Sequence, residues 1–265
     1  MNIFNIIKEI EKFDPEVYDR LDSRRSAFKN LRSIGKKTAL AAVPLALGSV
    51  FQKAYGQSNS MVLEVLNFAL KLEYLERNFY TQGLAASGLI TDSAARGAFE
   101  KIRSHEAAHV DLLISTIQSL NGTPISEPTF NFGKNFQDWN TNYQTFLTLA
   151  QAFEDTGVRA YKGQAGNLIN NDTVLTVALQ IHSVEARHAA HVRRMRGVKG
   201  WIEGAGANSN VPDGAQPVYA GEDNVMQGGV NVTTVGSGYS AAIATGAFDE
   251  PLTKEQVAQI VSLFE

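Results

Sequence analysis

Between residues 60 and 197 apolar positions recur at alternating spacings of three and four, the period of an amphipathic helix. The pattern breaks into four segments. The first runs from about Ser60 to Gln82 and is stopped by Gly83 and Gly88. The second opens near the capping residues Thr91 and Asp92 and ends at Asn121-Gly122; the third runs from about Asp138 to Gly166. The fourth starts from an Asn171-Asp172 cap and closes at Gly197. Residues 122–137, with Pro124 and Pro128, are too long for a tight turn. Two short connections and one long one describe a four-helix bundle in which a single crossover travels the bundle's length.

The core seams carry chemistry. The second segment reads Phe99, Ile102, Glu106, His109, Leu113, Thr116, Leu120, and the fourth reads Val174, Ala178, Ile181, Glu185, His188, Val192, Met195. Each places Glu-x-x-His in mid-helix on a largely apolar stripe. The first segment gives Val62, Leu66, Ala69, Glu73, Glu76, Tyr80, and the third gives Tyr143, Leu147, Ala150, Glu154, Gly157, Tyr161. These two share Ala-x3-Glu-x6-Tyr. The chain is thus an internal repeat, a Glu/Tyr helix followed by a Glu-x-x-His helix, twice over. The repeat selects Glu73 over Glu76 as the equivalent of Glu154, because Gly157 stands where Glu76 does.

Ionised carboxylates in a core cost on the order of several kcal/mol each unless they are paired or metal-bound. Four together would repel one another. Two divalent cations balance four glutamates, and two neutral imidazoles complete the coordination. The candidate metal ligands are therefore Glu73, Glu106, His109, Glu154, Glu185 and His188. With 16 Glu and 5 His in 265 residues, chance spacing gives well under one Glu-x-x-His; two occur, both in mid-seam. The competing explanation is a polar network that binds no metal. Tyr80 and Tyr161 read as core residues with a tethered hydroxyl, or as redox-active groups or hydrogen-bond donors to the ligands. Glu76 reads equally as a carboxylate that shifts onto a metal or as a partner for Lys or Arg. His105, His182 and His191 lie off the seam, as solvated groups or partners of the ligands. Arg187, Arg193, Arg194 and Arg196 suit the negative end of the helix dipole.

The stretches Leu72-Glu73-Tyr74-Leu75-Glu76-Arg77-Asn78-Phe79-Tyr80, His105-Glu106-Ala107-Ala108-His109, Phe153-Glu154-Asp155-Thr156-Gly157 and Glu185-Ala186-Arg187-His188 resemble the bacterial ferritin-like proteins of the desiccation-related type. They are more distantly similar to rubrerythrin and other di-iron carboxylate proteins. Ala247-Phe248-Asp249-Glu250-Pro251-Leu252-Thr253 is similar to the C-terminal signature of the former family. The resemblance covers about residues 58–265. It implies an all-α, ferritin-like four-helix bundle with one long crossover and a site for two iron or manganese ions, with Glu106 and Glu185 bridging. It implies little about activity. Rubrerythrin's cysteine-bound iron centre has no counterpart, since the chain has no Cys.

Residues 198–252 depart from the helical period and are rich in glycine. They read as an irregular C-terminal layer with a short hairpin around Val230–Val235. Thr253-Lys254-Glu255-Gln256 has capping-box form and opens a last helix through Val257, Ile260, Val261 and Phe264. Its apolar face requires a surface, either the bundle or a second subunit, so a homo-oligomer is open. The net charge of −3, without a dense basic tract, argues against nucleic acid as a partner. No apolar run is long enough for a membrane-spanning helix.

Charge order changes the picture at the N-terminus. Residues 1–56 hold 10 Lys/Arg against 6 Asp/Glu, whereas the remainder is acidic. Ser23-Arg24-Arg25-Ser26-Ala27-Phe28-Lys29 resembles a twin-arginine export signal, followed by the apolar stretch Thr38 to Val50 and small residues in Ala54-Tyr55-Gly56. Pro44 argues against a stable core helix there. Ahead of the arginines Ile3, Ile6, Ile7, Ile10 and Phe13 recur at helical spacing, as an extended signal or a partner-binding helix. The expected organisation is an export signal over 1–56, a bundle over 58–197 and a C-terminal extension over 198–265. The expected location is periplasmic or extracellular. Two functions compete: a dimetal oxidase or peroxide-consuming protein using O2 or peroxide, and a non-catalytic stress or metal-binding scaffold. A storage cage is disfavoured, because the glycine-rich layer would obstruct packing of bare bundles. The mature protein should begin near Gln57, and replacing Arg24 and Arg25 by Lys should retain it in the cytoplasm. N-terminal sequencing of exported protein checks this; residues 1–56 found intact would rule the signal out.

Overall fold

The computed structural model describes residues 59–204 and 216–265. The export segment expected over 1–56 lies outside the described residues. Four long helices form the bundle: α1 (Asn59–Ala85), α2 (Ser93–Ser119), α3 (Tyr143–Ala165) and α4 (Asp172–Met195). α1 packs mainly on α2, and α3 mainly on α4. Side-chain caps fix three of the starts. Asp92 accepts from the Ala95 amide, Asn142 from Gln144 and Asn171 from Val174, each within 3.1 Å. The third helix begins later than its sequence pattern suggests. Asp138 instead holds a turn ahead of it, accepting from the Asn142 side chain at 2.9 Å and from the Thr145 hydroxyl at 3.0 Å. None of the helices among the described residues is long and apolar enough to cross a membrane.

The crossover between α2 and α3 is held by aromatic contacts. Phe132 and Trp139 pack on Phe79 of α1 with ring centroids 5.3 and 5.5 Å apart. Beyond α4 lie a two-stranded hairpin, β1 (Met226–Gln227) and β2 (Val230–Asn231), turned by Gly228 and Gly229 at positive φ, and two further helices, α5 (Ala241–Thr245) and α6 (Lys254–Val261). The hairpin thus lies about four residues ahead of the range its sequence indicated, and Val232–Thr234 form a 3-10 turn instead of a second strand. α6 opens on the complete Thr253/Gln256 capping box. Its apolar face lies on the bundle: Val257, Ile260 and Val261 are buried, and Phe264 meets Phe153 of α3 at 4.8 Å.

Two buried arginines fasten the C-terminal layer to the helices. Arg159 of α3 donates from Nε to the Glu250 carbonyl at 2.6 Å and from its outer nitrogens to the carbonyls of Val218 and Ala220. Its Nε also lies 2.8 Å from the buried Glu222 carboxylate. One turn on, Gly163 admits the layer's backbone, since a Cβ there would stand 2.0 Å from the Leu252 carbonyl oxygen. Arg193 of α4 is buried and bound through two nitrogens to Asp155 of α3, which also accepts from the Tyr219 hydroxyl at 2.6 Å. The helix dipole is therefore not what places Arg193. An interhelix ion pair places it.

Glu222 supplies a pH dependence. Burial raises its carboxyl to about 7, outweighing the opposing pull of Arg159, and its second oxygen has no hydrogen-bond partner. A carboxyl raised in the folded state binds more protons there than when unfolded, so its contribution to stability falls as pH rises through about 7. The unfolding midpoint should drop between pH 5 and 8, by about 2–4 °C per kcal/mol lost. Glu222→Gln should flatten that slope relative to wild type in matched thermal melts. Parallel slopes for the two proteins would show that Glu222 does not titrate in this range.

Candidate metal centre

Helical spacing delivers the six seam residues to one place. α1 contributes Glu73, α2 contributes Glu106 and His109 one turn apart, α3 contributes Glu154, and α4 contributes Glu185 and His188. The four glutamates are fully buried and the two imidazoles nearly so. They form two overlapping sets, Glu73/Glu106/His109/Glu185 and Glu106/Glu154/Glu185/His188, each with ligand atoms from all four residues within 4.8 Å of one another. Glu106 and Glu185 belong to both. Glu106 turns one oxygen to each set: Oε2 lies 3.0 Å from His109 Nδ1, and Oε1 lies 2.8 Å from His188 Nδ1. Glu73 Oε2 stands 3.0 Å and Glu185 Oε1 3.2 Å from His109 Nδ1, while Glu154 Oε2 stands 3.3 Å from His188 Nδ1.

The repeat is visible in space as a crossed pair of hydroxyls. Tyr161 of α3 donates to Glu73 Oε1 of α1 at 2.5 Å, and Tyr80 of α1 donates to Glu154 Oε1 of α3. Both tyrosines are buried, and each orients the outer carboxylate of the opposite half. His188 is also oriented from behind: its Nε2 lies 2.9 Å from His105 Nδ1, with the rings nearly parallel. His105 therefore partners a seam residue, whereas His191 is exposed and the half-buried His182 makes no contact with the cluster's carboxylates among those described.

The repeat breaks at Glu76 and Gly157. Glu76 is buried beside the other four carboxylates, and a Cβ at Gly157 would stand 3.2 Å from Glu76 Oε1 and 3.1 Å from Glu185 Oε2. Glycine at 157 makes room for the fifth carboxylate. Among the described residues the charged groups acting on Glu76 are carboxylates and not Lys or Arg. Burial, reinforced by Glu185, Glu154, Glu73 and Glu106, holds its carboxyl well above the ordinary range.

The electrostatics fit cations. Burial opposes a charged imidazole, yet the carboxylates around His109 raise it far above its usual range, and Glu154 and Glu106 push His188 up to about 11. Glu106 is raised to about 7 and Glu185 well above the ordinary carboxyl range, by burial first; Glu73 is lowered, because His109 outweighs burial. Each imidazole Nδ1 is shared among two or three carboxylates, and Glu76 Oε2 and Glu185 Oε2 are buried without a hydrogen bond. Lone pairs that converge without aligning on a donor suit a cation better than a hydrogen-bonded network. Carboxylate oxygens with one imidazole per position suit iron or manganese, and no thiolate is present to favour softer ions.

A bundle of two helical hairpins with a carboxylate–histidine core at its centre defines the ferritin-like class. The family model described as ferritin-like domain matches residues 62–198, more than half of the chain, and the protein belongs to that family. No curated protein matches the chain.

The broken repeat generates a paired test. In protein loaded with iron or manganese, Glu73→Ala should lower the bound metal from about two equivalents towards one, while Glu76→Ala should keep both. Elemental analysis of the two purified variants decides it, and full retention by Glu73→Ala would remove Glu73 from the ligand set.

Proposed function

We propose that this protein holds two iron or manganese ions between α1–α4 and acts as a dimetal oxidase or peroxide-consuming protein outside the cytoplasm. The observation that carries the proposal is the sharing of Glu106 and Glu185 by two buried sets of ligands. Glu73 and His109 would complete one set and Glu154 and His188 the other. A redox-active pair of ions supplies two electrons to one oxidant, so that one hydrogen peroxide, two protons and two electrons give two waters. The chain's own groups serve that chemistry. Tyr80 and Tyr161 fix the outer carboxylates, Glu76, whose carboxyl burial and Glu185 raise well above the ordinary range, lies beside Glu185, and His105 meets His188 on the side away from the carboxylates. With no Cys to hold a second iron centre, the chain requires a separate reductant. The export signal proposed for residues 1–56 supports an extracytoplasmic location by its twin-arginine pattern alone.

A second reading, a non-catalytic metal-binding or stress scaffold, is favoured by the near-complete burial of every candidate ligand. Metal analysis of protein from its native compartment, combined with assays of dioxygen and peroxide consumption, separates the two. Two equivalents of iron or manganese with turnover support the first, and bound metal without turnover supports the second. Either way, the metal should stabilise the fold. At free metal of about 100 times Kd the gain is about 2.7 kcal/mol, and chelation should lower the thermal midpoint by about 5–10 °C at 2–4 °C per kcal/mol. An unchanged midpoint in protein shown to be metal-loaded beforehand would count against a site built into the core.

A further inference from the structure

The two ends of the repeat are not packed alike. Superposing the repeat, residue on residue, pairs Val65 with Phe146, Leu72 with Phe153, Phe79 with Ala160, and Phe99 with Ala178. The half around Tyr80 therefore has four phenylalanines, and they fill it. Phe79 meets Phe146 and Phe153 at 4.7 and 4.9 Å, Phe99 meets Phe146 at 5.0 Å, and Tyr80 stacks on Phe99 at 5.7 Å. The half around Tyr161 has Val65, Leu72, Ala160 and Ala178 in the same positions. Although Phe68 and Leu113 there exceed their counterparts Leu149 and Val192, a cavity of about 20 Å³ remains, walled by Phe68 and Leu113 with Val65, Leu72, Ala160 and Ala178. One wall is Tyr161 itself, whose hydroxyl donates to Glu73. The cavity is thus separated from the candidate metal centre by one aromatic ring.

Its volume and lining restrict what can occupy it. A water needs about 10–15 Å³ and two to four polar partners. The space accommodates one very small molecule, but its lining is apolar except for Tyr161, whose proton is directed to Glu73, and Gln164, whose oxygen already accepts from Asn167 and which offers only its amide Nε2. Hydrogen peroxide, with two donors and two acceptors, would enter at the cost of unmade hydrogen bonds. Dioxygen, apolar and diatomic, loses nothing. We infer that the Tyr161 half of the bundle is a dioxygen-binding chamber serving the dimetal site. This deepens the proposed function, on which it rests for its purpose, by selecting dioxygen over peroxide as the oxidant delivered by this route. The binding itself requires no metal.

The test begins with metal-free protein, so that it does not depend on the metal reading. Dissolved dioxygen is paramagnetic and accelerates relaxation of nearby methyl groups. In methyl spectra under dioxygen pressure, Leu113 and Val177 should relax severalfold faster than Val192 and Ile102, which are equally buried in the filled half. Ala178→Phe installs the residue that the other half already has and should abolish the difference. Ala178→Leu, a milder filling, should reduce it where the larger ring disturbs folding. Equal relaxation in the two halves of the wild type, or an effect that survives both fillings, overturns the chamber. In metal-loaded protein Ala178→Phe should slow dioxygen consumption about tenfold and leave peroxide consumption unchanged; equal slowing of both overturns the selection of dioxygen. Protein that binds no metal but shows the relaxation difference keeps the chamber and refutes the dimetal function instead.

Discussion

Five carboxylates share the interior of one helical bundle, and the structure is organised around making that tolerable. The cost of desolvating each is on the order of several kcal/mol before mutual repulsion is counted. Imidazoles stand against Glu73, Glu106, Glu154 and Glu185, tyrosine hydroxyls stand against Glu73 and Glu154, and burial among the others raises the Glu76 carboxyl. These devices are partial. Several oxygens remain without hydrogen bonds, and no apolar core of this quality retains such groups at no cost. Cations at the centre would convert the same arrangement from a liability into a source of stability, so that fold and site would be coupled.

The surroundings are rigid where the centre needs them to be. Glu154 is followed by Asp155, which binds Arg193 of the neighbouring helix and Tyr219 of the C-terminal layer. Arg159, one turn further along α3, gathers the carbonyls of Val218, Ala220 and Glu250. The same helix therefore presents a candidate ligand on one face and two anchor points for the layer on others. A helix tied in this way holds its carboxylate in position without relying on the metal for its own placement. The layer is part of the site's support, although among the described residues it contributes no member to either set of candidate ligands.

How much of this was legible in the sequence depended on period. The four helices and the six seam residues could be read because Glu-x-x-His and Ala-x3-Glu-x6-Tyr recur at helical spacing, and the capping box at Thr253 because its chemistry is local. The start of α3 was misplaced because Asp138 has the chemistry of a cap but caps a turn instead of the helix. Arg193 looked like a dipole-compensating residue because its partner, Asp155, lies on another helix with no fixed spacing to announce it. Arg159, Glu222 and Tyr219 left no signal, since they join a helix to an irregular segment some sixty residues away. The tyrosine hydroxyls were visible as possibilities, but only the structure shows that each crosses to the opposite half.

The repeat explains the site, and its failures explain what makes the site particular. Where Glu154 repeats Glu73 and Glu185 repeats Glu106, two positions of like charge and like ligands arise from one helical grammar. Where Gly157 fails to repeat Glu76, one half gains an extra carboxylate and the two positions cease to be equivalent. Where alanine stands in for phenylalanine, one end of the core is solid and the other is hollow. A symmetric bundle with a sixth glutamate at 157 would add another buried charge, and one with phenylalanines at both ends would close the space beside Tyr161. The departures have complementary consequences: glycine at 157 gives the fifth carboxylate room beside Glu185, and alanine at 178 leaves space behind the tyrosine that steadies Glu73. Asymmetry of this kind, imposed on an otherwise repeated frame, is what distinguishes a site with a direction of approach from a simple cation sink.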